Sequence, residues 1–479
     1  MTIKNDFKLY AKVAIMLALM IIIGNLQPFG QITPMGMKVL GVFVACIFGW
    51  ITIDVLWISI FGFLAFSLTG YGSITQVIGA GLSNYTVILV LFSSLLAGVI
   101  ESTNCVEIIN KWLLTRNIIH QKPMALVFAI YLIGILGIFC NAGFAVVFLL
   151  WTLILNIADQ CGYARKSPEV SFLLSMAVIV PLTSGNCIPY QMGVIAYSSF
   201  YDPTLMASFS YAKFMILGFS YLFVFCIAMT YLFKFIFKMD FSKMKLDEAT
   251  IKEYENIKAD SVQKFGLISV LIFTIVMLAP SFLPKTWKIT QLINNLGLVG
   301  VTIILFAFFA ILRDENNQPI TNFAKCHASV PWSVVWLLAF AMSLSGALKS
   351  PDTGIMATIM AYFGHAFNGM GIYTFMLITA LFVGILTQIS NNMVLGALFF
   401  PIFSGVCVNL GGNPYIYFML LLIVVNCAYA TPAASLQGAM MHGHEAIGKK
   451  YAYSIGILAV FITIAICLVL YIPLGWLLW

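Results

Sequence analysis

Between Thr353 and His444 the chain carries no Asp, Glu, Lys or Arg, yet Ser390, Asn391 and Asn392 stand together in the middle of that stretch. A water-facing fold does not leave so long a segment uncharged. Apolar runs of about 20 residues recur along the whole chain, the length a helix needs to cross a bilayer. Of 479 residues, 62% are hydrophobic and only 9% charged, against roughly 25% charged in soluble domains. The solvent for most of this surface is therefore lipid. Strands of a membrane barrel alternate in polarity over about 10 residues; that alternation is absent, so the spans are helical.

The opening MTIKNDFKLYAKVAIMLALMIIIGNL has the outline of a signal peptide but no small-residue cleavage site after its apolar run. It reads as a first, retained helix. The ten cysteines form no CxxC pair and no zinc-type spacing. Cys46, Cys140, Cys226, Cys427 and Cys467 sit in apolar runs, where a thiol behaves as a small buried side chain.

Basic residues mark the cytoplasmic side of membrane proteins. They cluster at Lys4 to Lys12, Lys111 to Lys166, Lys234 to Lys264, Arg313 and Lys325, and Lys449 and Lys450. Placing these clusters inside puts 19 of the 24 Lys and Arg residues there, and leaves Lys38, Lys213, Lys285, Lys288 and Lys349 outside. The expected topology has a cytoplasmic N-terminus and an external C-terminal YIPLGWLLW, in a cell membrane. The net charge of +7 then reports loop placement and not a nucleic-acid partner. A charged loop near residues 238–265 divides the chain close to its middle and reads as a partly helical cytoplasmic linker.

Pro123 to Ala158 has no charged residue, and its flanks, Lys122 and Arg165/Lys166, are both basic. An element that enters and leaves on one side must reverse within the membrane. Its midpoint, GIFCNAGFA, is too apolar for an external loop, so a re-entrant hairpin with a protein-lined tip is expected. Gly371 to Leu410 repeats the design from the other side, with Ser390-Asn391-Asn392 at its tip. FSSLLAGVIES (92–102) resembles FAMSLSGALKS (340–350) at an offset of 248, the tip residues Asn141 and Asn391 differ by 250, and Ser184 and Pro432 by 248. After each hairpin comes a helix with a polar, Pro-containing break: VPLTSGNCIPYQMG (180–193) and VNCAYATPAASLQGAM (425–440). Inverted repeats with broken helices near the midplane are the design of secondary transporters. Helix N-termini at such breaks present N–H groups and a positive dipole end to an anion. The competing reading is that these polar residues glue helices together and that Pro181, Pro189 and Pro432 only kink them. Four breaks in symmetric register favour a lined cavity.

In this arrangement the chain resembles the divalent anion:sodium symporter family, over about residues 10 to 479. The resemblance implies an all-helical membrane fold with about 11 spans and two opposed re-entrant hairpins, a homodimer, and an elevator mechanism. In that mechanism a hairpin-containing transport body moves against a scaffold. Implied substrates are di- and tricarboxylates such as succinate, malate, fumarate or citrate, and for some members sulfate. Implied segments are scaffold helices and an arm (1–121), transport elements (122–237), a linker (238–264), a second scaffold and arm (265–369), and second transport elements (370–479). The arms match ESTNCVEIINKWLLTRNII and KSPDTGIMATIMAYFGHAF.

Ser390-Asn391-Asn392 matches the family's second Ser-Asn-Thr motif with Asn in place of Thr, and Cys140-Asn141-Ala142 matches the first in its Asn alone. ATPAAS (430–435) keeps Ala430, Thr431 and Pro432 of the family's Ala-Thr-Pro-Pro-Asn-Ala. Its first-half counterpart is barely recognisable near Gly185 to Pro189. Carried over residue by residue, the implied substrate-binding positions are Asn141, Ala142, Ser390, Asn391, Asn392, Thr431, Pro432, Thr183 and Ser184. One implied sodium site uses Ser390, Asn391, Thr387 and Ala430. A second, degraded one uses Cys140, Asn141 and Gly185. Sodium is a hard cation that prefers oxygen, and the Cys140 sulfur is a poor ligand for it. Coupling at that site is therefore expected to be weak or absent, and sodium-independent exchange stays open beside symport.

No Lys or Arg is among these residues, so an anion would be held by amides, hydroxyls, backbone dipoles and any bound Na+. A neutral or monocarboxylate ligand on the same fold is an alternative. A membrane enzyme needs paired carboxylates, a metal cluster or a nucleophile with its base. The nearest cluster, His442, His444 and Glu445 in MMHGHEAIGKK, lacks the HExxH spacing and reads as an interfacial helix end. His120, His327 and His365 also fall near expected interfaces.

Overall fold

The computed structural model describes residues 7–116, 122–141, 145–201, 209–245, 251–252, 255, 260–284, 286–313, 317–320, 323–328, 330–367, 369–432 and 434–479. Ala142, His120 and much of the 238–264 linker lie outside the described residues. The described chain is helical, with one isolated bridge between Arg313 and Pro319.

The first half runs α1 (Phe7–Gly24), α2 (Pro34–Thr52), α3 (Val55–Ser67), α4 (Ile74–Leu82), α5 (Tyr85–Ser102), α6 (Val106–Leu114), α7 (Pro123–Phe139), α8 (Ala145–Gln160), α9 (Pro168–Gly185), α10 (Met192–Ser199) and α11 (Tyr211–Ile236). The second runs α12 (Ser261–Phe282), α13 (Lys288–Ile311), α14 (Phe323–Ala328), α15 (Trp332–Lys349), α16 (Ile355–Ala366), α17 (Ile372–Leu386), α18 (Asn392–Asn409), α19 (Pro414–Val425), α20 (Leu436–Gly443) and α21 (Lys449–Ile466). A π-helical turn at Cys467–Tyr471 leads into α22 (Ile472–Leu478).

Local chemistry sets many of these starts. Thr33, Asp54, Ser167, Asn413 and Ser435 each cap a helix by accepting a backbone N–H, which satisfies a donor that the first turn leaves unpaired. Ser73 with Gln76, and Asp260 with Gln263, form full capping boxes. Proline occupies the first turn of α2, α7, α9 and α19, where its missing N–H costs nothing.

From α5 onward the halves repeat one order: a long helix, a short arm helix, a two-helix hairpin, a helix, a short helix after a break, and a long helix. Thus α5 answers to α15, α6 to α16, α7 and α8 to α17 and α18, α9 and α10 to α19 and α20, and α11 to α21. The sequence offset near 248 is carried by whole elements.

Eight helices among the described residues are long and apolar enough to cross a membrane, or ten if two bent pairs each count as one span. The bends are 51° between α4 and α5 and 87° within α13, the latter at Gly297 with φ 59°. The expectation of about 11 spans exceeds this number, and α3 and α19 are apolar but short. Their 13 and 12 residues rise only about 18 to 20 Å.

Packing gathers the elements into two groups. Helices α1 to α5 pack with one another and with α13 and α15, while α9 sits amid α7, α8, α11, α20 and α21. In α9, residues Val170 to Pro181 are buried without interruption, as are Ile416 to Val425 in α19. A helix apolar on every side belongs at the centre of such a body. These two central helices are the ones that break.

Candidate functional site

Four chain interruptions define the site. The first hairpin turns after Phe139, with Cys140 ending α7 and Asn141 in the left-handed region at φ 52°. Asn tolerates this conformation better than most residues with a Cβ. The second hairpin turns at 387–391, between α17 and α18, and Asn391 caps α18 by accepting from the N–H groups of Met393 and Val394 at 3.0 and 3.2 Å. The third interruption separates α9 from α10, and the fourth separates α19 from α20.

Hydrogen bonds join these interruptions in pairs. Gln191, in the break after α9, donates through Nε2 to the Asn141 Oδ1 at 3.0 Å and to the Ile138 carbonyl at 2.7 Å. Thr183 and Tyr429 share a buried hydroxyl–hydroxyl bond of 2.6 Å that joins the last turn of α9 to the break after α19. Gln388, in the second tip, donates to the Cys427 carbonyl at 3.0 Å and accepts from the Ala430 N–H at 3.0 Å. Its own carbonyl accepts from the Thr431 hydroxyl at 2.6 Å. Tyr197 on α10 donates to Asn426 Oδ1 at 3.3 Å, just past the end of α19.

Thr387 Oγ1 lies 2.6 Å from the Val425 carbonyl and 2.8 Å from Asn392 Oδ1. One hydroxyl proton cannot serve two acceptors. With the Asn392 amide turned over, its Nδ2–H donates to Thr387 while Thr387 donates to Val425, and both are satisfied.

Two more contacts fix the fourth interruption. Ser435 donates to the Ala428 carbonyl at 2.7 Å while its oxygen caps α20. The Tyr429 carbonyl accepts from His442 Nε2 at 3.1 Å, and Gly456 of α21 lies so close to that carbonyl that a Cβ there would collide with it.

Ser390 differs from its neighbours. Its Oγ is buried and has no hydrogen-bond partner among the described residues. A buried hydroxyl in that condition carries a desolvation cost of about 1–3 kcal/mol, which a bound ligand can remove.

The structure places Asn141, Thr183, Thr387, Asn391, Asn392, Ala430 and Thr431 in hydrogen bonds at or beside these breaks, with Ser390 next to Asn391 and Pro432 next to Thr431. It moves one expected feature. Within the 180–193 stretch expected to break, Thr183, Ser184 and Gly185 still lie in the last turn of α9, so the break begins at Asn186. Pro181 is accommodated inside the helix, and the Ser184 hydroxyl donates to the Pro181 carbonyl at 2.6 Å. Cys140 is buried. No group of three or more His, Cys, Asp or Glu residues that could hold a metal occurs among the described residues.

Gln191, Gln388, Tyr197, Asn426 and Tyr429 were not singled out by sequence reasoning. Each is a polar residue inside or within a few positions of a motif that was.

His442 packs against the Tyr453 ring at 4.6 Å. His444 lies edge-on to Trp151 at 4.4 Å. With Arg165 and Glu445 it lines an open cleft of about 680 Å³ along α20. Burial holds the His444 imidazole below its ordinary pKa; Arg165 acts in the same direction and Glu445 opposes it.

Comparison with known proteins is consistent with this geometry. A solved structure, that of the Alcanivorax borkumensis YdaH transporter, described as having an unusual topology, matches with a TM-score of 0.56 over 98% of both chains at 14% identity; the likeness is one of fold. The sodium-dependent dicarboxylate transporter SdcS of Staphylococcus saprophyticus is 23% identical over 45% of this chain and 40% of its own length. An uncharacterized transporter of Haemophilus influenzae is 22% identical over 50% of each chain. The chain therefore spans half or less of the length of these relatives. The pattern of the citrate transporter family, CitMHS, matches residues 39–421. The chain belongs to the citrate transporter family of membrane transport proteins, which bears out the sequence resemblance to the related divalent anion:sodium symporters.

Proposed function

We propose that the chain is a secondary transporter of small di- or tricarboxylates, citrate or a C4-dicarboxylate, which bind where the two hairpin tips meet the two helix breaks. The observation that carries this reading is the pairing of each hairpin tip with a helix break, Asn141 with Gln191 and Gln388 with Thr431, beside the Thr183–Tyr429 bond between the two halves. The nearby tip and break residues are amides, hydroxyls and helix starts, with no Lys or Arg among them. Helix N-termini at α18 and α20 supply positive dipole ends for carboxylates. Asn391, Asn392 and Thr431 would select their geometry.

Sodium fits the second tip better than the first. The Ser390 hydroxyl has no hydrogen-bond partner among the described residues, and the Thr387 and Asn391 oxygens are hard donors of the kind Na+ takes. The Cys140 sulfur at the first tip is not. The printed function of the SdcS relative, sodium-dependent dicarboxylate transport, supports coupling through one such site. In this reading α7–α11 and α17–α22 travel as one body against the remaining helices, in an elevator motion, within a homodimer whose N-termini are cytoplasmic.

Uptake of radiolabelled citrate and succinate into proteoliposomes, with and without an inward Na+ gradient, tests the proposal. Gradient-stimulated uptake of either acid is expected. Uptake that ignores Na+ but accelerates with internal dicarboxylate would replace symport by exchange. Absence of uptake of any di- or tricarboxylate would overturn the substrate class.

A further inference from the structure

We propose that Cys105 and Cys140 form an oxidisable thiol pair, a covalent modification site at which the tip of the first hairpin can be tied to the turn between α5 and α6. Both residues are buried, at 1% and 3% exposure. They line one cavity of about 270 Å³ together with Glu101, Asn104 and Glu107, so a small oxidant has a route to them. Other buried thiols direct their hydrogens to backbone carbonyls: Cys187 to Gly218 at 3.2 Å and Cys427 to Val424 at 2.9 Å.

Each partner is anchored to a different body. On the Cys105 side, Gly266 of α12 is pressed against Thr103 so closely that a Cβ would collide with its hydroxyl, and Gln263 Nε2 donates to Glu107 Oε2 at 2.7 Å. On the Cys140 side, the Tyr190 hydroxyl donates to the Phe139 carbonyl at 2.8 Å and Gln191 holds Asn141. The cysteines adjoin left-handed residues, Asn104 at φ 51° and Asn141 at φ 52°, so both lie in tight turns, and these turns border the same cavity. A disulfide requires specific Sγ and Cβ geometry, which two turns on one cavity wall reach by adjusting locally.

The chemistry takes a hydroperoxide as oxidant. One thiolate attacks the O–O bond and becomes a sulfenic acid as the hydroperoxide leaves as an alcohol. The second thiol then displaces water from that sulfur and the S–S bond forms. Two thiols lose two protons and two electrons, and the hydroperoxide is reduced by the same two electrons. The linked protein would hold the first hairpin against the α5–α6 turn and α12, which blocks any motion of one body past the other. The crosslink stands independently of the transport reading; its effect on turnover rests on it.

The test treats the full-length protein in proteoliposomes with tert-butyl hydroperoxide. Non-reducing digestion and mass spectrometry then look for a peptide joining Cys105 to Cys140. Wild type is expected to form that peptide, to melt at a higher temperature, and to lose uptake until dithiothreitol is added. Cys105→Ser is expected to form no such peptide and to keep its uptake through oxidation. Absence of the linked peptide in oxidised wild type overturns the site, and a linked peptide with unchanged uptake overturns the latch. If reduced wild type takes up no tested acid, the proposed substrate class fails, and the linked peptide with its melting shift still decides the pairing.

Discussion

Gln191 Nε2 lies 3.0 Å from Asn141 Oδ1 and 2.7 Å from the Ile138 carbonyl, so a single side-chain amide closes the first hairpin tip onto the break after α9. In the second half the pin runs the other way: Gln388 belongs to the hairpin tip and reaches Cys427 and Ala430 in the broken segment. Both halves use a glutamine because its amide can bond two partners at once, and a carboxylate or ammonium would bring an unpaired charge to the same place.

Asn141 has two separable tasks, since its backbone is left-handed at φ 52° and its amide accepts from Gln191. Asn141→Gly keeps the backbone and loses the bond. Asn141→Ala loses the bond and adds strain of roughly 1–2 kcal/mol. Both variants are expected to raise the KM for uptake, and the alanine variant to melt below the glycine variant in a detergent thermal-shift assay. Equal melting temperatures would remove backbone strain from the account.

Gln388→Met preserves length and removes both polar ends. It leaves the Ala430 N–H and the Cys427 carbonyl without their side-chain partner. A buried polar group so stranded costs about 1–3 kcal/mol. The variant is expected to melt lower and to bind citrate or succinate more weakly, because the N-terminal approach to α20 is no longer held against the tip. Unchanged melting together with unchanged KM would show that Gln388 does not position this segment.

The architecture was legible because lipid imposes a simple rule: polar residues in a charge-free apolar run need a reason, and Asn141, Ser390, Asn391, Asn392 and Thr431 all lie at the chain interruptions. The glutamines and Tyr429 were hidden because their role depends on partners far along the chain; Thr183 and Tyr429 are 246 positions apart. The start of the first break was misplaced for a local reason. Proline at 181 signals a helix interruption, but α9 continues through it for another turn to Gly185. Span count was harder still, since α3 and α19 are too short to qualify on length and α13 bends by 87°.

The Thr183–Tyr429 bond is buried and joins the last turn of α9 to the break after α19 at 2.6 Å. Tyr429→Phe and Thr183→Val each remove one hydroxyl and leave the other unpaired, at a cost of about 1–3 kcal/mol. The double variant strands neither, so a double-mutant cycle is expected to give a coupling energy on the order of 1 kcal/mol or more in chemical or thermal melts. Additive single effects would mean that the two hydroxyls do not bond in the protein.

Ser390 gives the sharpest distinction between a structural and a binding role. A structural hydroxyl would have a partner, and this one has none among the described residues although its oxygen is buried. Removing an unsatisfied buried group does not destabilise through lost hydrogen bonding, so Ser390→Ala is expected to melt at or above the wild-type temperature without ligand. A ligand that binds the native state raises its melting temperature. The rise that Na+ or citrate produces in wild type is expected to shrink in Ser390→Ala and to survive in Ser390→Thr, which keeps the oxygen. A loss confined to the Na+ response assigns the hydroxyl to the ion, and a loss confined to the citrate response assigns it to the carboxylate. A full response to both in Ser390→Ala would exclude this hydroxyl from the site.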